Sequence, residues 1–357
     1  MGVCHARRSR QRAGSRGLCE QHIAYRWLCG NVRVNHHLLS DFRGTQPETW
    51  DALLTQLVAA LTAEGLVTLR RVAQDGMRVR ADAGKASFRR HRTLEDHLQA
   101  AREQVATLRR LAEESPEELP RRQRAAQQRA ARERTKRLEE ALRHCQQLQE
   151  QREQRAKKTC QPAQEARASS TDPEARTMQF SDGGFRPGYN VQFATDVDSG
   201  VIVGAATVNA GNDAGQLPPM LGQIQQRYEV TPKETLVDGG YAVKDAIEQS
   251  HERGCVVYAP VKDVAKQQAA GKDPFAAKRG EGPGMTSWRA RMQTEAGRRI
   301  DRLRCQTAEW VNAMARNHGL WRMPVRGLLK CGIVARLHAL THNLLTAARL
   351  RRQAAAS

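Results

Sequence analysis

The chain has 357 residues and carries 58 Lys and Arg against 38 Asp and Glu, a formal charge of +20. No apolar run approaches the roughly 20 residues that a spanning helix requires, which excludes a membrane partner of that kind and makes a soluble, cytoplasmic protein the expectation. Eight cysteines (Cys4, Cys19, Cys29, Cys145, Cys160, Cys255, Cys305 and Cys331) form no CxxC pair, and no signal peptide opens the chain, which argues against both a zinc site and a disulfide framework.

In chain order, residues 1–18, with Arg7, Arg8, Arg10, Arg12 and Arg16, read as a basic disordered tail. Residues 19–65 form a helical segment. Ile23, Trp27 and Leu28 share one face, Ser40 and Asp41 resemble a cap, and after Pro47 the residues Trp50, Leu53, Leu54, Leu57, Val58 and Leu61 keep helical spacing until Gly65 closes the run. Residues 66–88 alternate apolar side chains with Arg70, Arg71, Gln74, Arg78 and Arg80, which suits a strand pair or one bent strand containing Asp75.

From 89 to 160 the composition turns to Arg, Gln, Glu and Ala. Leu94, Leu98, Ala101, Val105 and Leu108 alternate by four and three, and Leu138, Leu142 and Cys145 resume that spacing after the interruption SPEELP at 115–120. The economical expectation is a long antiparallel helical hairpin inserted in the fold. Its charged face reads either as solvated surface or as a lever lying along DNA. Residues 161–187, rich in Pro, Ser, Thr and Gly, read as a linker or loop.

The remaining core is expected over 188–350, with a tail at 351–357. Strands at 189–195 and 201–208 flank the hairpin residues 196–200, and a helix over 216–228 follows with Asp213 as its expected cap. Then come a strand at 235–237 ending in Asp238, a helix at 244–254, a strand at 255–259, and loops at 272–284. A long helix carries Ile300, Leu303, Thr307, Trp310, Val311 and Met314, and a last helix runs from 333 to 350 with His342 and Asn343 as packing or cap residues.

This order predicts an α/β fold with an RNase H-like mixed sheet, in which Asp75 and Asp238 meet at one sheet end and Glu309 approaches from a helix. Three carboxylates there suit hard divalent cations, Mg²⁺ or Mn²⁺. Two such ions activate the attacking oxygen and stabilise the leaving oxygen in phosphodiester displacement. Each acid alone has a plainer reading: Asp75 before Gly76 and Asp238 before two glycines are turn chemistry, and Glu309 is a solvated helix residue. Asp196 competes with Asp75 for the first position, although the hairpin explains it better. Arg304, Arg316, Arg322, Arg326 and Lys330 are candidate phosphate contacts or ordinary surface charge. Trp310 could stack on a DNA base or pack in the core. His36 and His37 lack partners at metal spacing.

The stretches VAQDGMRVRADAGKASFRR, DGGFRPGYNVQFATD, VNAGNDAGQLPPML, ETLVDGGY and RCQTAEWVNAMARNHGLWRMPVRGLLK, in this order, resemble the bacterial insertion-sequence DDE transposases, over nearly everything from Leu18 to Leu350. The resemblance implies an RNase H-like catalytic core with a helical insertion, a divalent metal, and metal-dependent cleavage and strand transfer on double-stranded DNA at element ends and target. It maps the three acids, catalytic and metal-binding, to Asp75, Asp238 and Glu309. A two-end synapse is consistent with a homodimer. Asp301 stands where the resemblance leads one to expect Tyr, Arg304 is retained, and Arg316 replaces Lys. The Arg-rich stretch before Leu18 stands in place of a further helical segment that helps to bind element ends. Truncation or a frameshift would account for this difference, and a catalytically silent remnant that binds DNA is the alternative function.

Overall fold

The protein is described by a computed structural model over residues 12–35, 38, 41–42, 44–114, 120–160 and 162–356. Arg7, Arg8, Arg10, His36, His37, Ser40 and most of the 115–120 interruption lie outside the described residues. The chain divides into two compact units, one formed by residues up to Val79, Asn190–Met323 and Leu329 onward, the other by Arg80–Tyr189 with Pro324–Leu328.

The first unit opens with α1 (Arg12–Gln21), α2 (Ile23–Leu28) and α3 (Pro47–Ala63). Residues 12–18, expected in the tail, belong to α1. Pro47 suits the first turn of α3, where no amide partner is needed, and Trp50, Leu54, Val58 and Leu61 bury one face. Gly65 ends the helix at φ +72°, and Leu66 N–H turns back on Leu61 O at 2.9 Å.

The next segment is one strand, β1 (Arg71–Arg80), and the turn chemistry of Asp75 and Gly76 is not used as a turn. With β5 (Phe185–Asp196), β6 (Ile202–Val208), β7 (Glu234–Val237) and β8 (Val256–Tyr258) it forms the order β6-β5-β1-β7-β8. β5 is antiparallel to β6, and it also opposes β1, where Val197 N–H meets Arg71 O at 3.0 Å. β1–β7 and β7–β8 are parallel. In chain order these strands stand third, second, first, fourth and fifth, a mixed sheet compatible with the RNase H-like expectation.

Helices α6 (Leu217–Tyr228) and α7 (Lys244–Glu252) make the crossovers that parallel strands require. Their faces join Ala73, Leu236, Val237, Tyr241, Ile247, Val257 and Trp288 in one core, and the Trp288 indole donates to Ala259 O at 3.1 Å. After α8 (Val264–Ala269) and α9 (Pro283–Gln293), the expected single long helix is two, α10 (Glu295–Arg304) and α11 (Trp310–Asn317), joined by a π-helical turn at Cys305–Glu309. The last helix, α12 (Leu328–Ala354), buries Asn343, whose amide bonds both backbone groups of Ile202 at 2.8 Å, while His342 meets Gly200 O at 2.9 Å. These polar residues complete the hydrogen bonding where β6 begins.

In the second unit β2 (Phe88–Arg89) pairs antiparallel with β3 (Ala168–Ser169). Helices α4 (His91–Glu114) and α5 (Arg121–Thr159) pack antiparallel, with Leu94, Leu98 and Ala101 buried against Leu138, Ala141 and Cys145. Arg102 and Glu139 pair across them at 2.9 Å. Residues 161–187 are not a linker: they contain β3, β4 (Arg176–Gln179) and the start of β5, against which β4 pairs. The polar composition serves hydrogen bonds there. Asp172 accepts from Tyr189 Oη at 2.7 Å and Gly327 N–H at 3.2 Å, and Glu174 accepts from Leu328 N–H at 2.7 Å. Among the described residues no helix is long and apolar enough to cross a membrane, and all seven cysteines are free thiols.

Candidate active site

The parallel register pairs Val72 with Thr235, Ala73 with Leu236 and Gln74 with Val237. Asp75, in the middle of β1, and Asp238, just past β7, are therefore the next residues where the β1–β7 ladder ends. Asp238 is exposed, and its Oδ1 accepts from Gly239 N–H at 2.7 Å. Asp75 accepts from Gly76 N–H at 2.9 Å and from Asn312 Nδ2 at 3.0 Å. Burial pushes the Asp75 carboxyl up to about 6, against the opposing pull of the Arg304 guanidinium. Asp196 belongs elsewhere. It accepts from Leu69 N–H at 3.1 Å and from Ser199 N and Oγ at 3.0 and 2.7 Å, so it is a buried hairpin residue beside the opposite end of β1.

Glu309 closes the π turn, half-exposed, and pairs with Arg304 Nη1 at 2.9 Å. In an α-helix residues five apart stand about 140° apart around the axis, whereas a π turn stacks them on one face. The turn thus makes the Arg304–Glu309 pair. Thr307 Oγ1 contributes by bonding Leu303 O at 2.9 Å. Arg304 also acts on Asp75 and on Asp301. Asp301, in place of the expected Tyr, has its carboxyl pushed up by burial first and by the charge of Asp238, with Arg304 opposing.

Two further groups were not legible as functional. Asn312 lies three residues after Glu309 and ties α11 to Asp75. Asp213 is not the side-chain cap of α6: Gln216 holds that position without a side-chain bond, and Asp213 contributes only its backbone O, at 3.1 Å from Gln216 N. Instead its Oδ1 accepts from Asn190 Nδ2 at 2.7 Å and Gln192 Nε2 at 2.8 Å. The signal available was the pair Asn190 and Gln192, two polar residues on one face of an otherwise apolar strand, both fully buried.

Of the five basic candidates, Arg304 is largely buried and engaged by Glu309. Arg316, Arg322 and Lys330 are exposed, as is Arg326, which also bonds the Asp82 carboxylate at 3.0 Å. Trp310 is half-exposed rather than a core residue, its ring 6.0 Å from that of His342.

Among the described residues no three His, Cys, Asp or Glu side chains stand gathered to hold an ion in their present rotamers. The donor set nevertheless fits a hard divalent cation: carboxylates of Asp75 and Asp238 meet at the end of the β1–β7 ladder, the charge of Asp238 is felt by Asp301, and the buried Asp301 Oδ1 and Asn312 Oδ1 have no hydrogen-bond partner. A family model described as the transposase DDE domain matches residues 158–344, just over half of the chain. The matched stretch includes Asp196, Asp213, Asp238, Asp301 and Glu309, and Asp75 precedes it. No curated protein and no solved structure matches.

Proposed function

Because the chain belongs to the family defined by the transposase DDE domain, we propose that it cleaves and joins DNA phosphodiester bonds with Asp75, Asp238 and Glu309 as its three acids. The observation that supports this reading is the β1–β7 register, whose last pair, Gln74 and Val237, is followed in sequence by Asp75 and Asp238. Divalent cations held there, Mg²⁺ or Mn²⁺, supply activation of the attacking oxygen and stabilisation of the leaving one. Asp75 and Asp238 present the first oxygens. Asn312 orients Asp75, and Glu309, which pairs with Arg304 in this structure, would complete the set that holds the cation. The substrate is double-stranded DNA at element ends and target, with two copies of the chain serving two ends.

The test is Asp238→Ala, assayed in Mg²⁺ on a duplex carrying the element end. Cleavage should fall below detection while duplex binding persists, and unchanged cleavage would defeat the assignment. The Glu309–Arg304 pair and the carboxylate of Asp301 favour a second reading, a silent remnant that binds DNA. That reading is supported if the unaltered protein binds the duplex and never cuts it.

A further inference from the structure

Asp213 lies on the loop before α6, and the sequence reading of it as a cap leaves its actual surroundings unexplained. Its carboxylate is held on one oxygen by Asn190 and Gln192, and its other oxygen is 3.6 Å from Arg78 Nη2. Behind it, Gln192 Oε1 accepts from Gln74 Nε2 at 3.0 Å and from the buried Tyr241 hydroxyl at 2.5 Å. Asn190 and Gln192 expose almost nothing to solvent, and Asn190 Oδ1 has no partner.

This group sits directly on the glycines that follow the two acids. A Cβ added to Gly76 would lie 2.3 Å from Asp213 Oδ1, 2.4 Å from Gln192 Nε2 and 2.8 Å from Asn190 Oδ1. Gly76 does not have a positive φ, so glycine is needed there for space and not for backbone freedom. A Cβ on Gly240 would lie 3.6 Å from Asp238 Oδ2, 3.9 Å from Asp213 Cβ and 4.0 Å from Asp213 Oδ2. One side chain therefore packs against the backbone immediately after Asp75 and leaves room for no more than about a methyl group between itself and the backbone two residues after Asp238.

We propose that Asp213 is a positioning residue of the cation site, its carboxylate wedged against Gly76 and separated from Gly240 by the space of a methyl group, so that Asp75 keeps the place beside Asp238 that a shared ion requires. The inference rests on the reading of Asp75 and Asp238 as cation ligands. Asp213 itself is not assigned as a ligand, since one oxygen is saturated by two amides and the other faces Arg78. Asparagine at this position keeps the volume and the oxygen that Asn190 and Gln192 need, whereas alanine removes both.

The experiment is Mn²⁺ titration calorimetry on the full chain, with thermal melts confirming that each variant is folded. Asp213→Ala should weaken Mn²⁺ binding at least tenfold, and Asp213→Asn should restore it to within threefold of the unaltered protein. If the alanine variant melts below the assay temperature, Asp213→Ser, which cannot span to both amides, should show the same loss. Gly76→Ala should weaken binding similarly, and combining it with Asp213→Ala should add little, because both disrupt one contact. Unchanged affinity in Asp213→Ala overturns the proposal, and so does an asparagine variant as weak as alanine, which would make Asp213 a ligand. An affinity that Asp238→Ala leaves unchanged overturns instead the cation-site reading beneath it, and this proposal with it.

Discussion

Asp75 is a carboxylate largely withdrawn from water, with burial raising its proton affinity more than Arg304 lowers it. With its folded value at about 6, the native protein keeps a proton that the unfolded chain releases near pH 4. Its contribution to stability is therefore full below about pH 4 and disappears as pH rises through about 6. The difference corresponds to about 3 kcal/mol at most. In chelator, urea unfolding from about pH 4 to about pH 8 should show Asp75→Asn gaining on the unaltered protein as pH rises, and parallel curves would contradict the burial argument. Asp75 and Asp238 were legible as candidates only through their place in an ordered pattern, since Asp-Gly alone reads equally well as a turn and β1 in fact runs through Asp75 and Gly76 to Arg80. Asp213 was not, since GNDAGQ before a helix is equally good capping chemistry, and only the fold brings Asn190 and Gln192 to it.

At the scale of elements, the seam joining α4 and α5 was readable because Leu94, Leu98 and Ala101 repeat at helical spacing with no competing signal. Leu138 is buried in that seam, so Leu138→Ala should cost about 2–5 kcal/mol, measured as a lowered urea midpoint. The π turn was unreadable, since one residue more or less in a run of helix formers leaves apolar spacing almost unchanged. Residues 161–187 misled for a different reason: their Ser, Asp and Glu side chains bond backbone groups inside the fold, which gives an ordered segment the composition of a loop. Deleting Gln306 should convert the π turn to α-helix and rotate Glu309 by about 100° relative to α10. Melting temperature should hold or rise while Mg²⁺-dependent cleavage is lost. Retained cleavage would show that the turn does not aim Glu309.

For the whole molecule, a charge of +20 would, under the proposed function, set how DNA is met before any chemistry occurs. Neutralising phosphates releases counterions, so affinity should fall steeply with salt for any duplex, with a slope of about 0.9 per phosphate contacted. The charge is not spread evenly. Over 121–137, α5 carries eight cations against one acid, Glu133. Arg121, Arg122 and Arg129 there are exposed. Replacing these three by Gln removes charge while keeping helix propensity. If that face lies on DNA, the salt slope should drop by about 2 to 3 and affinity should fall alike on element-end and scrambled duplexes, read by fluorescence anisotropy across a salt series. Asp238→Ala should leave the slope as it is, since it subtracts no phosphate contact. An unchanged slope in the arginine variant would return α5 to the role of a solvated helix and assign DNA attraction to basic residues such as Arg316, Arg322 and Lys330, whose replacement should then lower the slope instead.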